Sequence, residues 1–158
     1  MTTSIIATVD PARSRVEART ASDHVVVMDT VPPEDESAAA PKDVLLAALA
    51  GCTSMDVASI LRKKRQAATA YRVAVSGESA DDHPRVFTAI TVEHRVEGEV
   101  GAEALRRSIE LSATRYCPVS AMLSASTRIE HRYRLNDPDG AGEAVLVAVT
   151  GPEGSRVL

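Results

Sequence analysis

The chain has 158 residues, the size of one domain or one subunit of a small oligomer. Hydrophobic residues make up 44% of it, enough for a core, and the net charge of -4 gives no electrostatic footing for nucleic acid or an anionic membrane surface. Three Tyr, one Phe and no Trp are too few for a base-stacking surface.

In chain order, Thr3 to Val9 and Arg15 to Met28 read as strands, the latter closing on the apolar run "HVVVMD". The stretch "TVPPEDESAAAPKD", Thr30 to Asp43, reads as an exposed loop because of Pro32, Pro33 and its acidic cluster. Pro41 then suits the first position of a helix, where its missing N–H costs nothing, and Asp43 meets the positive dipole end. That helix runs from about Lys42 to Lys64 and ends in the basic run "RKKRQ", a solvated last turn favoured by the dipole. It is apolar nearly all round, which predicts burial on several sides, against a sheet and against another subunit. Thr53, Ser54, Asp56 and Ser59 interrupt it, so it does not read as a membrane span. The opening "MTTSIIATVD" lacks the basic start and apolar core of a signal peptide, and the expected location is the cytoplasm.

Tyr71 to Gly77 and Val86 to Val96 read as strands, the second alternating Ile90, Val92, His94 and Val96 against Glu93 and Arg95. A helix is predicted over Ala102 to Tyr116, broken at Cys117-Pro118 and restarting through Leu123. Arg128 to Leu135 alternates as a strand, "NDPDGAGE" is a turn, and "AVLVAVT" is a further strand. Strands, helix, strands, helix, strand predict an α+β fold with a mostly antiparallel sheet. His94 and His131 fall on apolar strand faces and read as satisfied core groups. No His/Cys/Asp spacing matches a zinc site, no phosphate loop or dinucleotide fingerprint occurs, and no metal or cofactor is expected.

The only cysteines are Cys52, mid-helix, and Cys117. Free cysteines usually pack as small hydrophobes, and a 65-residue spacing is no redox motif. Two features favour chemistry. In a reducing compartment a disulfide is usually transient and catalytic or sensing. If Pro118 opens a restarted helix, Cys117 is its N-cap, where unpaired N–H groups favour a thiolate. Cys52 has no such help from the dipole, and Asp56 one turn away opposes its ionisation. It would need a cation or donor from elsewhere to act as a nucleophile. Composition and spacing leave both readings open.

"PKDVLLAALAGCTSMDVASIL", followed by "LSATRYCPVSAML", resembles the OsmC/Ohr family of thiol-dependent hydroperoxide peroxidases. Pro41 stands eleven residues before Cys52, and Cys117-Pro118-Val119-Ser120 matches the family's Cys-Pro-x-Ser. "MDVASILRKKRQ" and "RVFTAITVEHRVEG" are most similar to its YhfA-like branch. The resemblance covers roughly residues 24–135, within a single domain of residues 1–158 whose C-terminal extension, 136–158, it leaves unaccounted for. It implies a curved, mostly antiparallel sheet wrapped on two central helices in an intertwined homodimer. It also implies that Cys52 is the peroxidatic residue and Cys117 the resolving one. The chemistry would pass through a sulfenic acid to an intramolecular disulfide that an external dithiol reduces, with organic hydroperoxides entering an apolar interfacial cleft. In the family's peroxidases a Glu follows the Pro and orients an Arg from the N-terminal hairpin. Here Lys42 stands in that place, Asp43 follows, and Arg13 and Arg15 are the hairpin candidates. Lys42 lies ten residues before Cys52, about 15 Å along a straight helix. The alternative implied by the missing Glu is a non-catalytic relative that binds a small apolar ligand or senses redox state.

Overall fold

A computed structural model describes residues 2–30 and 37–158, so the centre of the acidic Pro-rich loop, 31–36, lies outside the described residues. The chain divides into two compact units, Met1–Leu45 and Leu46–Leu158.

The first unit is a three-stranded antiparallel meander of β1 (Ile5–Asp10), β2 (Arg15–Thr20) and β3 (Val25–Met28). The long strand expected from Arg15 to Met28 is therefore two. Ala21 to His24 form a turn, with Asp23 at φ 68° and its N–H donating to the Thr20 carbonyl. Helix α1 (Pro41–Lys63) starts on the predicted proline and ends on Arg62 and Lys63. Its C-terminus is closed by Arg65 at φ 56° and by the Gln66 N–H on the Leu61 carbonyl, as a left-handed cap requires.

In the second unit a five-stranded sheet runs in the order β4-β5-β6-β7-β8. The strands are β4 (Ala67–Ser79), β5 (Phe87–Glu99), β6 (Arg128–Leu135), β7 (Val145–Gly151) and β8 (Gly154–Val157). All neighbours are antiparallel except β5 and β6. A parallel pair needs a crossover of a dozen residues or more. Here it holds α2 (Ala102–Leu111), a π-helical turn (Ser112–Tyr116) and α3 (Pro118–Ser124). The helix expected to run unbroken to Tyr116 thus widens at Ser112, where its carbonyl accepts from the Cys117 N–H five residues on.

The buried side of α1 is a single stripe, Leu49, Thr53, Val57 and Leu61, one residue per turn. The expectation of burial on several sides is not met within one chain, where Met55 stays 73% exposed. By length and apolarity α1 could cross a membrane, yet its Thr53 and Asp56 are both hydrogen-bonded to the Ser112 hydroxyl. Two apolar clusters form the core. One contains Val57, Leu61, Val96, Leu105, Ile109, Tyr133 and Val147, and the other Leu49, Ile90, Val92, Cys117 and Ile129. On three elements the inward residue between them is polar: Thr53 on α1, His94 on β5 and His131 on β6. On these three elements a polar layer therefore divides the core, and both cysteines belong to the second apolar cluster.

Candidate active site

Cys52 reaches the site from the middle of α1, and Asp56 follows one turn later on the same face. Cys117 arrives at the join between the π-helical turn and α3, at φ -74° and ψ 104°, an N-cap conformation with Pro118 at the first helical position. Its Sγ accepts from the Ser120 N–H at 3.3 Å. The two sulfurs and a carboxylate oxygen of Asp56 lie within 4.8 Å of one another. Both cysteines are free thiols, Cys117 buried and Cys52 half-buried.

Ser112 ties the site together. Its Oγ donates to Asp56 Oδ2 at 3.0 Å, and its carbonyl accepts from the Cys117 N–H at 3.0 Å. With its one proton on the carboxylate, Ser112 Oγ must accept from Thr53 Oγ1, 3.0 Å away. This buried chain fixes α1 against the turn that carries Cys117. Asp56, Ser112 and Thr53 were not singled out as site residues from sequence. The signal for Asp56 was present in its i+4 spacing from Cys52, whereas nothing local marks Ser112.

The N-cap expected for Cys117 is present, but its consequence is reversed. Burial, then the hydrogen bond with Cys52, pushes the Cys117 thiol up to about 12, and the Asp56 charge adds to this. The Ser120 N–H opposes the shift without overcoming it. One donor at 3.3 Å does not offset the loss of solvent around a buried anion. Cys117 is therefore held as a thiol at neutral pH.

Behind the cysteines, the Tyr71 hydroxyl is kept protonated by burial and by the nearby Asp56 charge. It is hydrogen-bonded to His94 Nδ1 at 2.6 Å. His94 and His131 are fully buried, as expected of core groups, but only partly satisfied. His94 Nε2 and both ring nitrogens of His131 meet no hydrogen-bonding partner among the described residues.

The four supporting candidates all fall in the first unit. Arg13 lies in the exposed turn between β1 and β2. Arg15 opens β2 and donates to Ser37 Oγ, whose hydroxyl donates in turn to Asp29 Oδ2 at 2.6 Å. That hydroxyl holds the Asp29 carboxyl below its ordinary range. Lys42 and Asp43 occupy the exposed first turn of α1. The structure brings together Cys52, Cys117 and Asp56, all from the second unit.

Comparison with known proteins identifies the family and the fold. A sequence profile described as OsmC-like protein matches residues 34–132. Protein YhfA of Escherichia coli K12 is 35% identical over 116 residues, which is 73% of this chain and 85% of that one. Among solved structures, a hypothetical protein from Aquifex aeolicus superposes with a TM-score of 0.76 at 23% identity, covering 85% of this chain and 96% of the other. An OsmC-like protein from Mycoplasma pneumoniae also gives 0.76, at 16% identity, with 85% and 97% covered. The organic hydroperoxide resistance protein OhrB of Bacillus subtilis gives 0.59 at 14% identity, with 85% and 98% covered.

Proposed function

This chain belongs to the OsmC family, and on that premise we propose that it is a thiol-dependent peroxidase of organic hydroperoxides. One observation carries the reading: the two cysteine sulfurs, 65 residues apart in sequence, lie within 4.8 Å of each other and are not joined. The burial of the pair is unequal in a way that divides the labour. Half-buried Cys52 is open to an incoming peroxide, and its thiolate attacks the O–O bond, releasing an alcohol and leaving a sulfenic acid. Buried Cys117 waits as a thiol and then displaces the hydroxyl from that sulfur. The S–S bond forms, and water leaves with the thiol proton. An external dithiol restores the reduced pair.

Apolar side chains around the site favour an organic over an inorganic peroxide. Leu46, Val119 and Leu123 pack on the same cluster as the two cysteines. Met55, Tyr116 and Met122, on α1, the π-helical turn and α3, are 73%, 49% and 68% exposed. A Cβ built on Gly51, next to Cys52, would meet nothing within 4 Å. Exposed apolar surface of this kind favours a homodimer that covers it.

The test is mass spectrometry of the reduced protein after one equivalent of cumene hydroperoxide, with Cys52→Ser and Cys117→Ser alongside. A rapid Cys52–Cys117 disulfide is expected, with trapped sulfenic acid on Cys52 in the Cys117→Ser variant. Thiols that survive a large excess for minutes would leave a non-catalytic, ligand-binding relative as the reading.

A further inference from the structure

We propose that Cys52, Asp56 and Cys117 form a reversible zinc site that competes with peroxide for the same two sulfurs. The competition rests on the peroxidase reading above, whereas the binding does not. The residues converge from two elements, α1 and the junction of the π-helical turn with α3, and their three donor atoms lie within 4.8 Å of one another. Two Zn–S bonds of about 2.3 Å and one Zn–O bond of about 2.0–2.2 Å, arranged tetrahedrally, place such atoms roughly 3.5–3.8 Å apart. Closing the site on an ion therefore takes shifts of about 1 Å or less.

The donor set suits the metal. Two thiolates select a soft or borderline cation over magnesium or calcium, and the Asp56 carboxylate completes three protein ligands. The fourth position stays open to water, as Cys52 is half-buried and not sealed. The carboxylate is already oriented by the Ser112 hydroxyl at 3.0 Å, the outer contact that such ligands need. In the metal-free protein the Cys52 sulfur and the Asp56 charge oppose ionisation of Cys117, and a divalent cation held among the three donors reverses the sign of that interaction.

Binding exchanges two thiol protons for one Zn2+. Oxidation reverses it: the two thiolates lose two electrons and join in an S–S bond, and the peroxide O–O bond takes those electrons. Two protons from solvent complete an alcohol and a water, and Zn2+ is released. A sulfur held on zinc has one lone pair engaged and is a weaker nucleophile than the free thiolate, so the loaded site reacts with peroxide more slowly than the metal-free one.

The experiment titrates reduced, metal-free protein with Zn2+ against a chromogenic chelator, and repeats the loading with Co2+ to read the ligands by absorption. One zinc per chain and a thiolate-to-cobalt charge-transfer band are expected. Cys52→Ser and Cys117→Ser should each abolish the band. Asp56→Asn should weaken zinc by at least about tenfold, and Ser112→Ala by about tenfold, the lower end for an outer-shell contact. In wild-type protein, which needs no variant to fold, Zn2+ should slow alkylation of both cysteines, and EDTA should restore it. Saturating Zn2+ should slow disulfide formation by cumene hydroperoxide by at least about tenfold, the scale of a fully occupied competitor. Binding that survives loss of either cysteine, or cobalt without a thiolate band, would overturn the site. An unchanged oxidation rate in zinc-loaded protein would overturn the competition. Failure of the metal-free protein to form a disulfide, with zinc still bound through both sulfurs, would remove the peroxidase reading and leave the site standing.

Discussion

At the scale of single residues, burial decides the chemistry of the titrating groups. Cys117 is held as a thiol by lost solvation and by its neighbours, although it caps a helix. In folded protein at neutral pH its alkylation is expected to be at least about a hundredfold slower than after unfolding in urea, where the thiol returns to its ordinary range. Competition of iodoacetamide with peptide mapping measures this, and equal rates would show that Cys117 is accessible and ionised. The two buried histidines give the fold an acid limit. Burial pulls His94 down to about 3 and His131 down to about 4, from 6.5. Below 6.5 the unfolded chain takes up protons that the folded chain refuses, so stability falls as pH drops toward 4. With both groups counted, the slope in that window approaches about 3 kcal/mol per pH unit. Neither ring nitrogen of His131 is partnered among the described residues, so His131→Leu removes one of the two protons without breaking a described bond. Urea titrations from neutral pH to about pH 4.5 should show the slope roughly halved in that variant. An unchanged slope would place the acid sensitivity elsewhere.

Individual elements carry the site through a few backbone irregularities. The π-helical turn widens the crossover helix so that Ser112 presents its carbonyl to the Cys117 N–H and its hydroxyl to Asp56. Ser112→Ala leaves a half-buried carboxylate without its donor and should destabilise the protein by about 1–3 kcal/mol. It should also slow disulfide formation in stopped-flow oxidation, because α1 and the turn lose their buried link. Full speed with lowered stability would make Ser112 structural only. On the sheet, β4 bulges between Ala68 and Ala70 opposite Gly98, which sits at φ 119°. A Cβ there would meet the Ala67 carbonyl oxygen at 2.3 Å and the Thr69 nitrogen at 2.7 Å. Asn136 brackets the same glycine, accepting from its N–H at 2.9 Å and donating to its carbonyl at 3.2 Å. Gly98→Ala should therefore lower stability by about 1–3 kcal/mol, measured as a shift in urea midpoint.

For the molecule as a whole, the C-terminal extension is part of the core. β7 pairs with β6, contributes fully buried Val147 and Ala148, and is paired in turn by β8. Deleting residues 137–158 strips one apolar cluster of these contacts and exposes the β6 edge. The truncated chain is expected to be unfolded or aggregated by circular dichroism and sedimentation, and a cooperative, soluble product would refute that role. If the exposed apolar face of α1 is covered in a homodimer, Met55→Glu should shift the sedimentation coefficient of the protein toward that of a monomer. Circular dichroism should stay unchanged, since Met55 lies outside the buried stripe.

Periodicity and local punctuation were enough to read most of the element order, with a helix opened by Pro41, strands alternating at His94 and His131, and a break at Cys117-Pro118, but not the turn that splits Arg15–Met28 into two strands nor the last strand, β8. Paired motifs around the two cysteines were enough to recognise the family. These are short-range signals, set by backbone sterics and by the two side-chain periods. Three features depended on packing across long separations. The parallel pairing of β5 with β6 requires the whole crossover to fold back. The π-helical widening begins at Ser112, whose hydroxyl is met by a helix more than fifty residues earlier in the chain. The high-lying Cys117 thiol reflects which groups surround a sulfur and how little water reaches it, and only the assembled core decides those quantities.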